Sequence, residues 1–131
     1  MALPFLVIDD SALDCLIVKK VIGFSGRGSD VIVFNDVIGA LEYIKNTPID
    51  QLPLLTVITL DIMMPVMDGF DFLDNFLLLP AERQQRFKIF VLSLSNSPFT
   101  LKRLADYEVV ATVIEKPITI DKLDRALLET I

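Results

Sequence analysis

The sequence predicts an α/β domain: five short strands in a parallel, doubly wound sheet, with five helices packed on its two faces. Three observations carry this prediction. Five apolar runs of strand length alternate with five amphipathic stretches, the pattern of repeated β-α units. Several of the runs are continuously apolar rather than alternating, as strands buried on both faces must be. Hydrophobic residues make up 53% against 23% charged, and mean hydropathy is +0.57, which is too apolar for a disordered chain. At 131 residues the chain is expected to form one domain over residues 1–131, with no second domain attached.

Taken in order, Phe5-Leu6-Val7-Ile8 is a β-prone run that stops at Asp9-Asp10. Ser11, with Asp14 three residues later, resembles a capping-box helix start. Leu13, Leu16, Ile17, Val21 and Phe24 then recur at helical spacing until the glycines of residues 23–28 break the pattern. Val31-Ile32-Val33-Phe34 is the second strand, and Asn35-Asp36 can cap a short helix carrying Ile38, Leu41 and Ile44. Two prolines mark residues 46–53 as a loop. Residues 54–60 form the most hydrophobic strand candidate, which ends at Asp61. A loop through Pro65 leads to Asp68-Gly69 and a helix with Phe70, Leu73 and Leu77 inward, its apolar face widened by Phe72 and Phe76. Ile89-Phe90-Val91-Leu92 is the fourth strand, ending at Ser93. Ser97-Pro98 suits a helix cap and first position, for a helix with Leu101, Leu104 and Ala105. Residues 109–115 form the fifth strand, before Lys116-Pro117, and Thr119 caps a last helix built on Ile120, Leu123, Ala126 and Leu127.

Composition removes whole classes of chemistry. Twelve Lys+Arg against 18 Asp+Glu give a net charge of −6 and a pI near 4.5, a poor match for a phosphate backbone, so no direct nucleic-acid contact is expected. Histidine is absent, which excludes histidine triads, histidine-ligated zinc and histidine phosphocarriers. The single cysteine, Cys15, excludes an internal disulfide and fits a reducing, cytoplasmic setting. No run approaches the roughly 18 apolar residues of a membrane helix, and the apolar start lacks a basic n-region, so no membrane association is expected.

The polar residues of interest fall at equivalent places. Asp9 and Asp10 close the first strand, Asp61 the third, Ser93 the fourth, and Lys116 follows the fifth. Sites in open parallel sheets form outside the carboxyl ends of the strands. Taken singly, each residue has a plainer use: the aspartates as caps or dipole partners, Ser93 as turn chemistry, Lys116 as a surface charge. Together they put three acids, a hydroxyl and a lysine on one rim. If the first and third strands are neighbours, the carboxylates converge, and a hard cation such as Mg²⁺ relieves their repulsion.

The segments Phe5-Leu-Val-Ile-Asp-Asp-Ser11, Leu60-Asp-Ile-Met-Met-Pro-Val-Met-Asp-Gly69, Val91-Leu-Ser93 and Glu115-Lys-Pro117 together resemble the receiver domain of two-component response regulators. The resemblance covers essentially the whole chain, and residues 60–69 are its most specific block. It implies a flavodoxin-like fold with strand order 2-1-3-4-5, like that of chemotaxis regulators. It implies Asp61 as the phosphoacceptor, taking a phosphoryl group from a sensor histidine kinase or a phosphotransfer protein. Asp10 would ligate Mg²⁺ directly, Asp9 through water, and Met63 through its backbone carbonyl, with Asp61 completing the set. Ser93 and Lys116 would contact the phosphoryl group, with a cis peptide between Lys116 and Pro117. The protein would then be a non-enzymatic switch whose phosphorylated state alters binding to a downstream protein.

Two positions depart from that pattern. Val113 stands where many receivers carry Tyr or Phe, which removes an aromatic ring from the readout. Leu94 follows Ser93 where a small residue is usual, and is expected to crowd the site; Val66 and Ser95 also border it. Among rivals, a haloacid-dehalogenase-type phosphatase needs a second acid two residues after its nucleophile, where this chain has Ser11 or Met63. The glycines of residues 23–28 lack the Lys-Ser/Thr ending of a phosphate loop, and residues 61–69 lack the alternating acids of a calcium loop. A receiver-like interaction module that is not phosphorylated is the remaining alternative.

Overall fold

The computed structural model describes residues 2–64, 66–94 and 97–131. Five parallel strands, β1 (Leu3–Ile8), β2 (Gly28–Phe34), β3 (Thr56–Asp61), β4 (Phe87–Ser93) and β5 (Val110–Glu115), form one sheet in the order β2-β1-β3-β4-β5. The helices are α1 (Ala12–Ser25), α2 (Val37–Asn46), α3 (Gly69–Phe76), α4 (Ala81–Gln84), α5 (Pro98–Leu104) and α6 (Ile120–Thr130). The doubly wound α/β fold expected from the sequence is therefore present. The five expected helices are joined by a sixth, the four-residue α4.

The continuous apolar runs are explained by burial on two faces. Along β1, Phe5 and Val7 point into a core shared with Cys15, Val18 and Ile22 of α1 and Leu123, Ala126 and Leu127 of α6. Leu6 and Ile8 point the other way, into a core built with Val37, Ala40 and Ile44 of α2 and Phe72, Leu73 and Phe76 of α3. All six residues of β3 are buried, as befits the central strand. Burying an aliphatic or aromatic side chain is worth about 1.5–3 kcal/mol, so this two-sided core dominates the driving force for folding.

Several details differ from the sequence reading. The apolar series Leu13, Leu16, Ile17 and Phe24 is not the face α1 buries: Leu13 and Phe24 are 65% and 77% exposed, and Val21 is half-buried, while Cys15, Val18 and Ile22 turn inward. Likewise Ile38 of α2 and Leu77 after α3 are exposed, and Ala105 lies outside the core. Leu54 is 83% exposed, because β3 begins only at Thr56. The turn expected over residues 23–28 is shorter. Helix α1 continues to Ser25, and Gly26 ends it in the left-handed region (φ 70°) that disfavours a Cβ. The loop position Pro65 lies outside the described residues. Segment 81–86 anchors the loop that precedes β3: Arg83 donates to the carbonyl of Ile44 at 2.9 Å, and Arg86 to that of Leu52 at 3.0 Å.

Candidate functional site

Register decides which strand ends meet. Ile8 pairs with Leu60, so Asp9, one residue on, stands beside Asp61. Asp61 pairs with Leu92 and Ser93 with Glu115, which sets Ser93 and Lys116 on the same rim. Asp9, Asp61 and Ser93 are buried and Asp10 is exposed. Carboxylate oxygens of Asp9, Asp10 and Asp61 lie within 4.8 Å of one another. The Lys116 ammonium is 3.3 Å from Asp9 Oδ2, 3.3 Å from Asp61 Oδ1 and 2.9 Å from Asp14 Oδ2. The structure thus brings the side chains of Asp9, Asp10, Asp61 and Lys116 together, with Ser93 at the end of the strand beside Asp61.

Backbone groups hold the acids in place. Ser11 N–H donates to Asp9 Oδ1 at 3.0 Å, and Met63 N–H donates to Asp61 Oδ1 at 3.3 Å. The Asp9 carbonyl accepts from Asn35 Nδ2 and from the Cys15 thiol, each at 3.3 Å. Behind Asp61 the chain is tightly packed. A Cβ on Gly69, the first residue of α3, would come within 2.8 Å of Ile62 Cα and 2.9 Å of the Asp61 carbonyl oxygen, so only glycine lets α3 begin so close to the strand end. The Lys116–Pro117 peptide is cis, as expected.

The site's electrostatics follow from this crowding. Burial, and then the charge of Asp9, push the Asp61 carboxyl up to about 6, against the opposing pull of Lys116 and the Met63 N–H. Burial alone would lower the Lys116 pKa. The hydrogen bond to Asp14 and the charges of Asp61 and Asp9 override it, and the ammonium is held charged well above the usual lysine range. Burial, reinforced by Asp9 and Asp14, pushes the Cys15 thiol up to about 11, so Cys15 is a neutral hydrogen-bond donor here. Three clustered carboxylates with an all-oxygen donor set, one of them kept from ionising easily by burial and by its neighbour's charge, fit a hard divalent ion such as Mg²⁺.

Two grooves flank the acids. One, a cavity of about 160 Å³, is lined by Asp14, Ile17, Leu94, Lys116 and Pro117 among others. Leu94 is 71% exposed at its edge. The second, about 290 Å³, is lined by Asp10, Asn35, Met64, Val66 and Met67 among others. Ser95, expected to border the site, lies outside the described residues. Val113 is half-buried in β5, in register with Val91.

Sequence reasoning missed Asp14, Cys15 and Asn35 as members of the site. Asp14 was visible only as a helix-start acid, and its partner lies 102 residues away. Its place in the first turn after Asp9-Asp10 was the one available signal.

Comparison with known proteins gives a consistent picture. Over 79 residues, 60% of this chain, it is 38% identical to a protein-glutamate methylesterase/protein-glutamine glutaminase of Thiobacillus denitrificans. The chain spans about a fifth of the length of the curated relatives it matches (20% of that one). Among solved structures, a response regulator receiver protein of Dyadobacter fermentans superposes with a TM-score of 0.86 at 26% identity, over 96% of this chain and 95% of that one. The chemotaxis protein CheY4 of Vibrio cholerae shares the fold with a TM-score of 0.76 at 22% identity, both chains being covered completely. The response regulator receiver domain family matches residues 5–128, nearly the full length, and the chain therefore belongs to this family of two-component signalling domains.

Proposed function

We propose that residues 1–131 act as one phosphoacceptor receiver domain in which Asp61 carries the phosphoryl group. The observation that supports this most strongly is the placement of the Asp61 carboxylate. It is buried, 3.3 Å from the Lys116 ammonium, with Asp9 and Asp10 oxygens within 4.8 Å. In the proposed reaction an Asp61 carboxylate oxygen attacks phosphorus. The P–N bond of a phosphohistidine on a sensor kinase or phosphotransfer protein breaks, and the departing imidazole nitrogen keeps the electron pair and is protonated.

Asp61 needs no general base. Even with its pKa raised to about 6, it is mostly ionised at pH 7. Phosphoryl transfer asks for in-line positioning and charge neutralisation more than covalent help. Lys116 supplies one positive charge and Ser93 a hydroxyl donor at the next strand end. A magnesium ion held by Asp9, Asp10, Asp61 and the Met63 carbonyl would supply further neutralisation of the phosphoryl oxygens. The phosphoryl group adds about −1.5 to −2 charge, which biases the rim between two arrangements that a downstream protein reads. With valine at position 113, that readout runs without an aromatic ring there.

The net charge of −6 supports a protein partner over a nucleic acid. Among the described residues no helix is long and apolar enough to cross a membrane, and a buried free Cys15 suits the reducing cytoplasm.

The test is chemical. Incubation with acetyl phosphate and Mg²⁺ should place one acid-stable, base-labile phosphate on the protein, and Asp61→Asn should lose it. A wild-type protein that takes no label favours the unphosphorylated interaction module. Fast multiple turnover of phosphate monoesters favours a phosphatase.

A further inference from the structure

Asp14 is the acid nearest the Lys116 ammonium. It sits at 2.9 Å, against 3.3 Å for both Asp9 and Asp61. Its carboxylate is also diverted from the use its position suggests. Ser11 Oγ accepts from Asp14 N–H at 3.2 Å, which is half of a capping box. The other half would be Ser11 N–H donating to the Asp14 carboxylate, but that N–H goes to Asp9 Oδ1 instead. Asp14 is thereby left to reach across the rim, its side chain 36% exposed, to a lysine whose own side chain is 9% exposed.

Lys116 has three ammonium protons and three carboxylate partners, so it is fully engaged before any phosphoryl group arrives. We propose that Asp14 is a positioning residue that competes for Lys116, drawing the ammonium toward the α1 rim and so restraining phosphorylation of Asp61. This rests on the phosphoacceptor reading above. When an Asp61 oxygen bonds to phosphorus and acetate leaves acetyl phosphate with the electron pair, the new phosphoryl oxygens need the proton donor that Asp14 holds. Asp14 also sets a fixed negative charge beside an incoming anion.

The experiment compares wild type, Asp14→Asn, Asp14→Glu and Asp61→Asn. Labelling by acetyl phosphate with Mg²⁺ is followed at low and at 0.5 M salt, and the Lys116 ammonium signal is read by NMR in metal-free protein. Asp14→Asn should label about two- to fivefold faster, the scale of losing one half-exposed charge contact from a barrier. Most of that gain should persist at high salt, because a 2.9 Å contact is screened far less than long-range repulsion. The Lys116 signal should shift in Asp14→Asn and stay near wild type in Asp14→Glu, which also keeps the slow rate. An unchanged or slower rate in Asp14→Asn, with the Asp61-dependent label intact, overturns the restraint and leaves the phosphoacceptor reading standing. An unmoved Lys116 signal overturns it whether or not any label forms. Failure of all variants to label, wild type included, overturns the phosphoacceptor reading and with it the restraint.

Discussion

Ser11 and Asp14 begin α1 as Asp68 and Asp71 begin α3: a side-chain cap, then an aspartate three residues later. At α3 the box closes. Asp71 N–H donates to Asp68 Oδ1 at 3.0 Å, and Asp68 N–H donates to Asp71 Oδ2 at 2.9 Å. At α1 only the first bond forms, because Asp9 takes the Ser11 N–H and Lys116 takes the Asp14 carboxylate. The same local pattern thus finishes a helix in one place and joins a charge cluster in the other. What differs is the neighbourhood: a competing acid just upstream, and a cation brought in from the turn after β5. Local spacing states what a side chain can do, and tertiary contacts choose among the options.

This contrast can be broken at α3. Gly69→Ala forces a Cβ onto the backbone of Ile62 and Asp61, and should destabilise the protein by about 1–3 kcal/mol, the usual range for overpacking. Because it displaces Asp61, it should also slow labelling, so urea melts and acetyl phosphate kinetics check it together.

Removing the buried, crowded charge of Asp61 should have the opposite sign. In metal-free protein the Asp61 carboxyl titrates near 6 when folded and near 3.8 when unfolded, so the folded state holds the proton more tightly. Stability is therefore lost as pH rises between those values, and stays lost above them. Asp61→Asn avoids the loss and should gain about 1–2 kcal/mol at pH 7.5, discounted because Lys116 gives up a partner. Thermal melts in EDTA should show Tm higher by a few degrees at pH 7.5, and no gain near pH 4.

Asp68→Ala should cost about 1 kcal/mol, as lost helix caps do, with the labelling rate kept near wild type. A large change in labelling would show that α3's start is coupled to the rim as α1's is. The smallest effect is expected from Leu94→Ala. Trimming a 71% exposed side chain at the edge of the groove should speed labelling by a small phosphodonor about twofold, and an unchanged rate would dismiss crowding by Leu94.

The strands were legible because both faces are buried, so Phe5 to Ile8 and Ile89 to Leu92 read as unbroken apolar runs. Helix α1 was legible as a helix but not in its orientation. Leu13, Cys15, Leu16, Ile17, Val18, Val21, Ile22 and Phe24 make it apolar nearly all round, so periodicity cannot single out the face of Cys15, Val18 and Ile22. Leu54 extended the third run into the loop, because hydropathy does not register where the neighbouring strands begin to pair. The rim acids Asp9, Asp10 and Asp61 were legible because strand ends carry their own signal. Asp14 and Asn35 were not, since each has a common local use and reveals another only when distant segments meet.

The bond from Lys116 N–H to the Ser93 carbonyl, 2.7 Å long, carries the β4–β5 ladder one rung beyond the paired residues Ser93 and Glu115. The backbones of the serine and the lysine are therefore mounted on a single stiff frame. Any exchange of partners by the ammonium is left to the methylenes of its stem, by rotamer hops that are fast compared with prying two strands apart. The rim can be reset many times over without disturbing the sheet on which it stands.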